Sequence, residues 1–598
     1  MEKEGSSRLR RIAMKEEEVE PLEFIEEMTS HVDEVQQMVL DDILSTNVNV
    51  EYLQRHGIFG RSIDRKTFKS KLPIIEYEDI LPDIQRIANG DPSPIFSAQP
   101  ISELLTSSGT SGGQQKIVPV IANHHEGIYT IFGWLIPTVM NKNISGLDKG
   151  KVLFFFLTRT ETKSPAGIIM RSVLTSYYKS PQFLCKHYDN INYTSSIPSI
   201  HCTDVFQSLY AQMLAGLADR LAIFQIGTTF APIFLQAIHF LKRHYQELAA
   251  DIEHGTVNPQ VTDAAVRAAL GNALTPDPEN AEHIRKECSS RDFQGIIRRI
   301  WPNTKFLDVI VTGPMAQYIP SLNFYSGDLP LTSTPYGSSE CFFGLNLYPL
   351  TKPEDVAYTI MPNMAYFEFL PVKSADDIGR ITAMQVVDPV DLAHVEDGKE
   401  YELIVTTYSG LYRYKIGDVL RVAKFYNKAP QFHIVGRKNV CLSIDIDKTE
   451  ETELQRAIAA AELAHLRPHN ARVLDYICYT DVKTIPGHYV IYCELSPINH
   501  SDNSSFSRVI DQCCLTIEQS LNYVYRGLRS YDKTIGPLEI KLVKGGTFHE
   551  VMDHAIARGA SAAQYKPPKC VKSTWMLDIL EARVVSTHFS PGVPSWLP

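Results

Sequence analysis

Two short apolar runs in the middle of the chain predict buried strands: Lys-Val-Leu-Phe-Phe-Phe-Leu at residues 151–157 and Phe-Leu-Asp-Val-Ile-Val at residues 306–311. Between them, apolar residues recur at helical spacing in residues 204–217 and 231–249, which predicts helices there. Strands that alternate with helices are typical of α/β layers, in which helices cover a largely parallel sheet. The sequence therefore predicts an α/β fold.

The pattern changes to β after about residue 364. Four segments have the composition of strands: residues 365–370, 401–406, 411–422 and 431–435. Ser409 and Gly410 favour a tight hairpin turn between the second and the third of these segments. We therefore expect an antiparallel sheet or a small barrel in this part of the chain.

A second domain is predicted from residue 440 onward. Its expected elements are helices at residues 449–466 and 506–526 and strands at residues 488–495 and 537–543. A unit of this length is domain-sized. We therefore divide the chain into a flexible charged tail at residues 1–20, a large N-terminal domain at residues 21–439 and a smaller α/β C-terminal domain at residues 440–598.

The composition excludes several classes of protein. Of the 598 residues, 44% are hydrophobic and 21% are charged, which excludes global disorder. The formal net charge is −11 without a polybasic run, so nucleic acid is not expected as a partner. The sequence contains neither an apolar run of about 18 residues nor a signal-peptide pattern, so we expect a cytosolic protein without membrane attachment. Ten scattered cysteines without a CxxC motif favour buried thiols over disulfides or zinc.

A segment rich in glycine and hydroxyl side chains is the first candidate for chemistry. Residues 106–113 are Thr-Ser-Ser-Gly-Thr-Ser-Gly-Gly, and Lys116 follows shortly after. Glycines let backbone N–H groups form an anion-binding nest, and hydroxyls and a lysine add donors that suit a polyphosphate. The segment is not a Walker A loop, but it matches G-x-S-x-G with Ser111 as the serine. A serine hydrolase and a plain surface loop therefore remain open.

Two further segments could complete a nucleotide site. Residues 333–340, Ser-Thr-Pro-Tyr-Gly-Ser-Ser-Glu, follow a predicted strand, where open α/β sheets place ligands. Tyr336 could stack on a purine and Glu340 could hold Mg²⁺, although Glu340 could also be an exposed carboxylate at a strand end. Asp418 follows Gly417 at a predicted strand end, where it could accept hydrogen bonds from a ribose or simply form a turn.

The three segments together resemble the ATP-binding motifs of the adenylate-forming superfamily. Within that superfamily the chain is similar to the plant acyl acid amido synthetases, the auxin-responsive family, from about Pro21 to the C-terminus. The similarity includes residues 174–179, 301–305, 536–540 and 564–566. It implies that a carboxylic acid attacks the α-phosphate of ATP, and that an amino acid then displaces AMP from the acyl group to give an amide.

The resemblance also implies roles for individual residues. The groups expected to bind ATP are Ser107, Ser108, Thr110, Thr334, Tyr336, Gly337, Ser338, Ser339 and Asp418. The catalytic groups implied are Glu340, which would also hold Mg²⁺, together with Lys448 and Lys566. Because Lys566 lies in the smaller domain, that domain is expected to move as a lid that brings the lysine to the phosphates.

The substrates follow from the same resemblance. The implied acid pocket contains Ser111, Leu135, Ile168, Ile169 and Met170, and the implied amino-acid segment is Lys544, Gly545, Gly546, Thr547 and Phe548. Apolar walls suit an aromatic or alicyclic acid. The substitutions in residues 165–172, and Lys415 in place of the family's arginine, depart from the auxin-conjugating pattern. Residues 301–305 and 536–540 nevertheless favour an indole acetate.

Several alternatives stay open at this point. The same chemistry on jasmonate or a benzoate fits the apolar pocket, and an acyl-CoA-type ligase is the nearest relative in chemistry. A serine hydrolase that uses Ser111 and a non-enzymatic hormone-binding protein belong to different classes. We expect a monomer with Cys513 and Cys514 in the core. His124 and His125 could line the nucleotide site, but an exposed pair is the expectation.

Overall fold

The structure is a computed structural model. It describes residues 19–59, 63–111, 114–289, 293–372, 388–437, 440–496, 503–557, 569–571 and 573–596, with the backbone alone at residues 108–111, 114, 440–441, 503–505 and 556–557. The chain divides into two compact units, one of residues 1–107 and 117–438 and one of residues 108–116 and 439–598. None of the described helices is long and apolar enough to cross a membrane.

Sixteen strands precede residue 438 in the described part of the chain: β1 (Ile101–Ser111), β2 (Gln114–Ile121), β3 (Lys151–Phe154), β4 (Thr162–Lys163), β5 (Ile169–Ser172), β6 (Ile223–Phe230), β7 (Phe306–Ile310), β8 (Leu331–Thr332), β9 (Pro335–Gly337), β10 (Phe342–Leu345), β11 (Tyr358–Ile360), β12 (Tyr366–Pro371), β13 (Val390–Asp391), β14 (Glu400–Thr406), β15 (Tyr414–Tyr426) and β16 (Ala429–Arg437). They form three sheets, with the orders β2-β1-β5-β4, β3-β6-β7-β8 and β13-β12-β14-β15-β16-β11-β10-β9.

The α-helices of the same part are Pro21–Ser30, Val32–Thr46, Glu51–Arg55, Arg65–Lys71, Tyr77–Ala88, His124–Tyr129, Ile136–Asn143, Val173–Tyr178, Ile197–His201, Val205–Ala218, Ala231–His254, Ala264–Ala273, Pro278–Ser289, Ile296–Ile300 and Ile319–Ser326. Short 3₁₀ or π turns lie at Thr130–Leu135, Leu147–Lys149, Gln182–His187, Tyr188–Asn190, Gly313–Tyr318, Pro353–Asp355 and Leu392–His394.

The sheet β3-β6-β7-β8 is parallel throughout and confirms the predicted α/β layers. The helices Val205–Ala218 and Ala231–His254 lie where helical periodicity predicted them. Strand β3 ends at Phe154, although its apolar run continues to Leu157. The buried side chain of Gln212 replaces the missing sheet partners, since it bonds the backbone N–H and C=O of Phe156 at 2.9 and 2.8 Å.

The eight-stranded sheet is antiparallel throughout, as the β-rich second half of the N-terminal domain predicted. The hydroxyl of Tyr336 on β9 lies 3.0 Å from the carboxylate of Asp418 on β15. These strands are four positions apart in the sheet, which would separate them by roughly 19 Å if the sheet were flat. The sheet must therefore curl strongly, and this part of the fold is barrel-like.

The glycine at the predicted hairpin turn has a steric reason. Gly410 has φ +94°, and a Cβ atom there would lie 2.3 Å from the carbonyl oxygen of Phe96. Only glycine fits this close approach without strain. The prediction that Asp418 lies at a strand end is wrong, because β15 begins at Tyr414 and Asp418 follows a bulge inside that strand.

The second unit contains a smaller α/β domain. Its strands are β17 (Val440–Leu442), β18 (Thr449–Glu450), β19 (Val473–Asp481), β20 (His488–Leu495), β21 (Glu539–Val543) and β22 (Val584–Phe589), and the sheet order is β19-β20-β21-β22. Its helices and short turns are Glu451–Ala461, Glu462–Leu466, Arg467–His469, Asn503–Ser520, Tyr523–Gly527, Leu528–Asp532, Thr547–Ala557 and Thr574–Ala582. The predicted strand at 488–495 is confirmed, whereas β19 and β22 were not predicted.

A buried ion pair fastens the curled sheet to the N-terminal helices. Arg413 donates two hydrogen bonds of 2.9 Å to Glu368 on β12, and its third nitrogen donates to the carbonyls of Lys69 and Leu72. Both side chains are at most 6% exposed. The bidentate geometry and the two carbonyl contacts offset the cost of removing these charges from water.

We predict that Glu368→Gln destabilises the protein by about 3 kcal/mol, because it leaves the Arg413 charge buried without a counter-ion. Glu400→Gln is the matched control, since the pair of Glu400 and Arg421 is largely exposed and should be worth less than about 1 kcal/mol. Denaturant unfolding of both variants measures the difference. Equal midpoints would show that the buried pair does not fasten the sheet.

Candidate active site

The carboxyl ends of β7 and β8 carry a set of hydroxyl groups that bond one another. Ser333 lies 2.7 Å from the Tyr358 hydroxyl, which lies 2.8 Å from the Thr312 hydroxyl. The backbone N–H of Val311 donates to Ser333. These bonds hold the segment that begins at Ser333 against the ends of the parallel strands, which is where open α/β sheets bind ligands.

Tyr336 and Asp418 join the second and third predicted ATP-binding segments. The Tyr336 ring is buried against Phe343 and Tyr358, and its hydroxyl donates to Asp418. Burial raises the pKa of Tyr336 well above its usual value, and the Asp418 charge raises it further. The other oxygen of Asp418 lies 3.6 Å from Arg437 on the neighbouring strand β16. Asp418 is therefore held from two sides while 17% of its side chain remains exposed.

Glu340 is a buried carboxylate, so the alternative of an exposed carboxylate at a strand end is wrong. Glu340 is only 5% exposed. Its backbone N–H donates to the Ser338 hydroxyl, in a tight turn that is closed by a hydrogen bond from the Ser338 N–H to the Cys341 carbonyl. Burial raises the pKa of Tyr414, and the Glu340 charge adds to that effect. Among the described residues, no lysine, arginine or histidine forms an ion pair with Glu340.

The donor set at Glu340 fits Mg²⁺ bound together with phosphates. The described residues contain no group of three or more His, Cys, Asp or Glu side chains that could form a protein-only metal site. Mg²⁺ is commonly held by one or two carboxylates while substrate phosphates and water complete its shell. A buried carboxyl group that forms no ion pair with any described residue is suited to that arrangement.

The glycine-rich segment differs from the loop that the sequence predicted. Strand β1 continues through Ser111 and β2 begins at Gln114, so hydroxyl residues of this segment belong to a strand. Ser107 is buried on β1. The side chains of Ser108, Thr110 and Ser111 lie outside the described residues. Residues 103–106 pair in parallel with residues 169–172 of β5, which brings Ile169 and Met170 alongside this strand.

The remaining ATP-site and lysine predictions fall on different parts of the chain. Gly337 ends β9, and Ser339 is partly exposed in the turn that follows. Lys448 is half-buried directly before β18, next to the buried Asp447, which accepts hydrogen bonds from Asn522 and Thr449. Lys566 lies outside the described residues.

The predicted amino-acid segment lies at the N-terminus of a helix. Residues 544–546 follow β21, and the helix Thr547–Ala557 begins directly after them. The backbone N–H groups of Gly546 and Phe548 donate to the two carboxylate oxygens of Glu494 at 2.8 and 3.3 Å. This carboxylate satisfies N–H groups at the helix N-terminus and fixes the turn.

A cavity of ≈ 290 Å³ lies inside the first unit, beside the parallel sheet. Its apolar wall includes Phe132, Ile136, Phe156 and Leu174, and Thr334 lines it as well. The predicted acid-pocket residues Leu135, Ile168, Ile169 and Met170 are not on its wall. Leu174 is the first residue of segment 174–179, which is part of the family resemblance, so the sequence did contain a signal for this part of the cavity wall. Whether Phe132 and Phe156 face the cavity depends on tertiary packing, which local sequence patterns do not reveal.

The histidine pair is not exposed, contrary to expectation. His125 is buried, and its Nε2 lies 2.7 Å from the Ser176 hydroxyl, which donates to Glu103. Burial lowers the pKa of His125. In this network the serine contacts both other groups and the carboxylate does not orient the histidine, so the arrangement differs from a Ser-His-Asp triad. The prediction for Cys513 and Cys514 is confirmed, since both are buried free thiols.

Comparisons with known proteins cover nearly the whole chain. The models of the GH3 family N-terminal, central and C-terminal domains match residues 21–331, 358–437 and 452–574. The indole-3-acetic acid-amido synthetase GH3.8 of Oryza sativa subsp. indica is 53% identical over 98% of this chain and 96% of its own length. The probable indole-3-acetic acid-amido synthetase GH3.1 of Arabidopsis thaliana is 52% identical with the same coverage of both chains.

Solved structures agree with these matches. The AtGH3.15 acyl acid amido synthetase in complex with 2,4-DB is 44% identical, covers 96% of this chain and 98% of its own, and has a TM-score of 0.66. The family resemblance inferred from the three ordered segments is thus confirmed. On the strength of its domains and its full-length relatives, the chain belongs to the GH3 family.

Proposed function

We propose that this protein is an ATP-dependent ligase that adenylates indole-3-acetic acid and joins its acyl group to an amino acid, releasing AMP and pyrophosphate. The observation that carries this proposal is the 53% identity, over 98% of the chain, to an indole-3-acetic acid-amido synthetase. Its relatives place the chain among acid–amino acid ligases. Jasmonate or a benzoate would be handled by the same chemistry and is the alternative that substrate tests must separate.

The position of Thr334 supports the proposal from geometry. Thr334 lines the apolar cavity, and it also belongs to the segment that would frame the adenine and the α-phosphate. An acid whose ring fills the cavity would then hold its carboxylate next to the α-phosphate. Such positioning of two reacting groups lowers the barrier to their reaction.

The proposed reaction has two steps, adenylation of the acid and transfer of its acyl group to the amino acid. A carboxylate oxygen of the acid attacks the α-phosphorus of ATP, and the bond from that phosphorus to the pyrophosphate oxygen breaks. The amine nitrogen of the amino acid then attacks the acyl carbon, the bond to the AMP oxygen breaks and the amine loses a proton. The first step is required because a free carboxylate has no good leaving group.

Each predicted site residue has a proposed role that follows from the chemistry of its side chain. Glu340 would hold Mg²⁺, which offsets phosphate charge, while Ser107, Ser108 and Thr110 would bind phosphate oxygens. Asp418 would accept hydrogen bonds from the ribose, with Tyr336, Gly337, Ser338 and Ser339 completing the nucleotide site. Lys566 and Lys448 would stabilise charge on the transferring groups as the C-terminal domain closes like a lid.

The rest of the proposal concerns the binding of the two organic substrates, the oligomeric state and the cellular compartment. The segment 544–548 would bind the amino acid, and Ser111, Leu135 and residues 168–170 would contribute to the acid site. We infer that the protein works as a monomer in the cytosol. The nine free cysteines in the described part of the chain suit a reducing compartment.

We predict that indole-3-acetate raises pyrophosphate release from Mg-ATP at least tenfold over the rate without acid, and more than jasmonate or benzoate does. Mass spectrometry should find an amide only when amino acids are added. Release that no acid stimulates in folded protein would contradict the ligase. Ester hydrolysis without ATP would favour the serine hydrolase, and acid binding without turnover would favour the hormone-binding protein.

We predict that Asp418→Asn raises the KM for ATP by about 10- to 100-fold, because a charge-assisted hydrogen bond to the ribose is lost. The KM for the acid should change less than threefold. Asp263→Asn is the control, since Asp263 caps the helix Ala264–Ala273 and asparagine caps equally well. A change in both substrates' KM values alike would argue against a ribose contact.

We predict that Lys566→Ala lowers acid-dependent pyrophosphate release by about 100-fold, as expected for a cation that stabilises transition-state charge. Lys566→Arg keeps the charge and should retain more activity than the alanine variant. Lys569→Ala is the neighbouring control, because Lys569 forms an ion pair with Asp475. An equal loss in the Lys569 variant would show that the effect is structural.

A further inference from the structure

Two carboxyl groups border the cavity beside the parallel sheet: Asp148 is exposed at the protein surface, whereas Asp308 is not. Asp308 lies on β7, and its side chain borders the cavity together with those of Ile310 and Gln225. The residue is deep in the protein but not fully covered by it, so its remaining accessible surface faces the cavity. A carboxyl group in such a place can contact whatever fills the cavity.

Asp308 already has partners but retains capacity to accept another hydrogen bond. One oxygen accepts from Gln225 at 3.0 Å, and the other lies 3.4 and 3.5 Å from the hydroxyls of Thr332 and Thr334. A carboxylate offers about four acceptor sites, and the two threonine contacts are long. Burial raises the pKa of Asp308 to about 7. A further donor from a ligand would therefore stabilise the ionised form.

A histidine, His187, borders the same cavity. His187 bonds the hydroxyls of Tyr177 and Tyr193 at 3.0 and 3.1 Å, and burial lowers its pKa to about 3, so the ring is neutral. A neutral ring donates to one tyrosine and accepts from the other. The tyrosine that accepts from His187 keeps its own hydroxyl proton. The wall therefore offers both a hydrogen-bond acceptor and a hydrogen-bond donor.

We propose that Asp308 is a specificity-determining residue that accepts a hydrogen bond from an N–H group in the ring of the acid. The inference rests on the proposed function, which places the acid's carboxylate near Thr334. The Thr334 hydroxyl lies 3.5 Å from a carboxylate oxygen of Asp308. If the carboxylate of the acid lies near Thr334, a bicyclic ring attached to it can therefore reach the Asp308 oxygen. An acid without a ring donor would cover the Asp308 carboxylate and leave it short of a partner.

The test compares two acids that differ in one ring atom, indole-3-acetate and benzofuran-3-acetate. The intact enzyme should prefer the indole at least tenfold in kcat/KM, measured by acid-dependent pyrophosphate release. In Asp308→Leu, which is similar in size but cannot accept, the preference should fall below threefold because the indole is handled less well. Asp308→Asn keeps one acceptor oxygen, folds with less disturbance and should give an intermediate ratio.

Thr332→Val is the matched control. It removes a hydroxyl that bonds Asp308 but does not line the cavity, so it perturbs the same network without changing the wall. Its preference for the indole should stay within twofold of that of the unaltered protein. A preference that falls as far in Thr332→Val as in Asp308→Leu would assign the effect to folding of the strand, and would overturn the proposal.

Calorimetric binding of the same two acids separates this inference from the proposed function. If no acid supports pyrophosphate release, the proposed function fails, and the ratio of the two dissociation constants still tests Asp308. If acids are activated but the unaltered protein shows no preference, or Asp308→Leu and Asp308→Asn both keep it, the role of Asp308 is overturned while the ligase stands.

Discussion

The hydrogen bond from Tyr336 to Asp418 is the contact on which the arrangement of the two predicted nucleotide-binding segments depends. It spans 82 residues of sequence and four positions of an eight-stranded sheet. A flat sheet could not bring these side chains together, so the bond and the curl of the sheet require each other. Since Asp418 also lies 3.6 Å from Arg437, the second and third predicted ATP-binding segments are held beside each other on the curled sheet.

Three buried carboxylates of the first unit differ in their partners. Glu368 accepts two hydrogen bonds from Arg413, whose remaining nitrogen donates to two backbone carbonyls, and such a fully bonded ion pair stabilises the fold. Glu340 has no cation beside it within the described residues, and Asp308 has only neutral partners with one side toward a cavity. Burying a carboxylate without a counter-charge costs free energy, unless a bound ligand or metal ion supplies the missing positive charge or hydrogen-bond donor.

The sequence predicted the α/β layers because long apolar runs and helical periodicity are local signals, as at residues 151–154 and 306–310. It failed where tertiary pairing overrides composition. Glycine and serine left a loop open at residues 106–111, yet β1 continues through Ser111, with β5 paired to residues 103–106 and β2 on its other side. Asp418 was expected at a strand end because Gly417 suggested a turn, whereas the glycine forms a bulge inside β15.

The cavity beside the parallel sheet illustrates the same limit. Leu135 is the residue that the family resemblance implies for an acid pocket, whereas the wall of this cavity includes the neighbouring Phe132 and Ile136 and does not include Leu135. Helical neighbours differ in direction by about 100°, so the identity of the facing residue depends on how the helix packs. A cavity of ≈ 290 Å³ is at the small end of ligand sites, which begin near 300 Å³. That volume suits a compact ring better than a long acyl chain, and under the proposed function the carboxylate of the acid would emerge at Thr334.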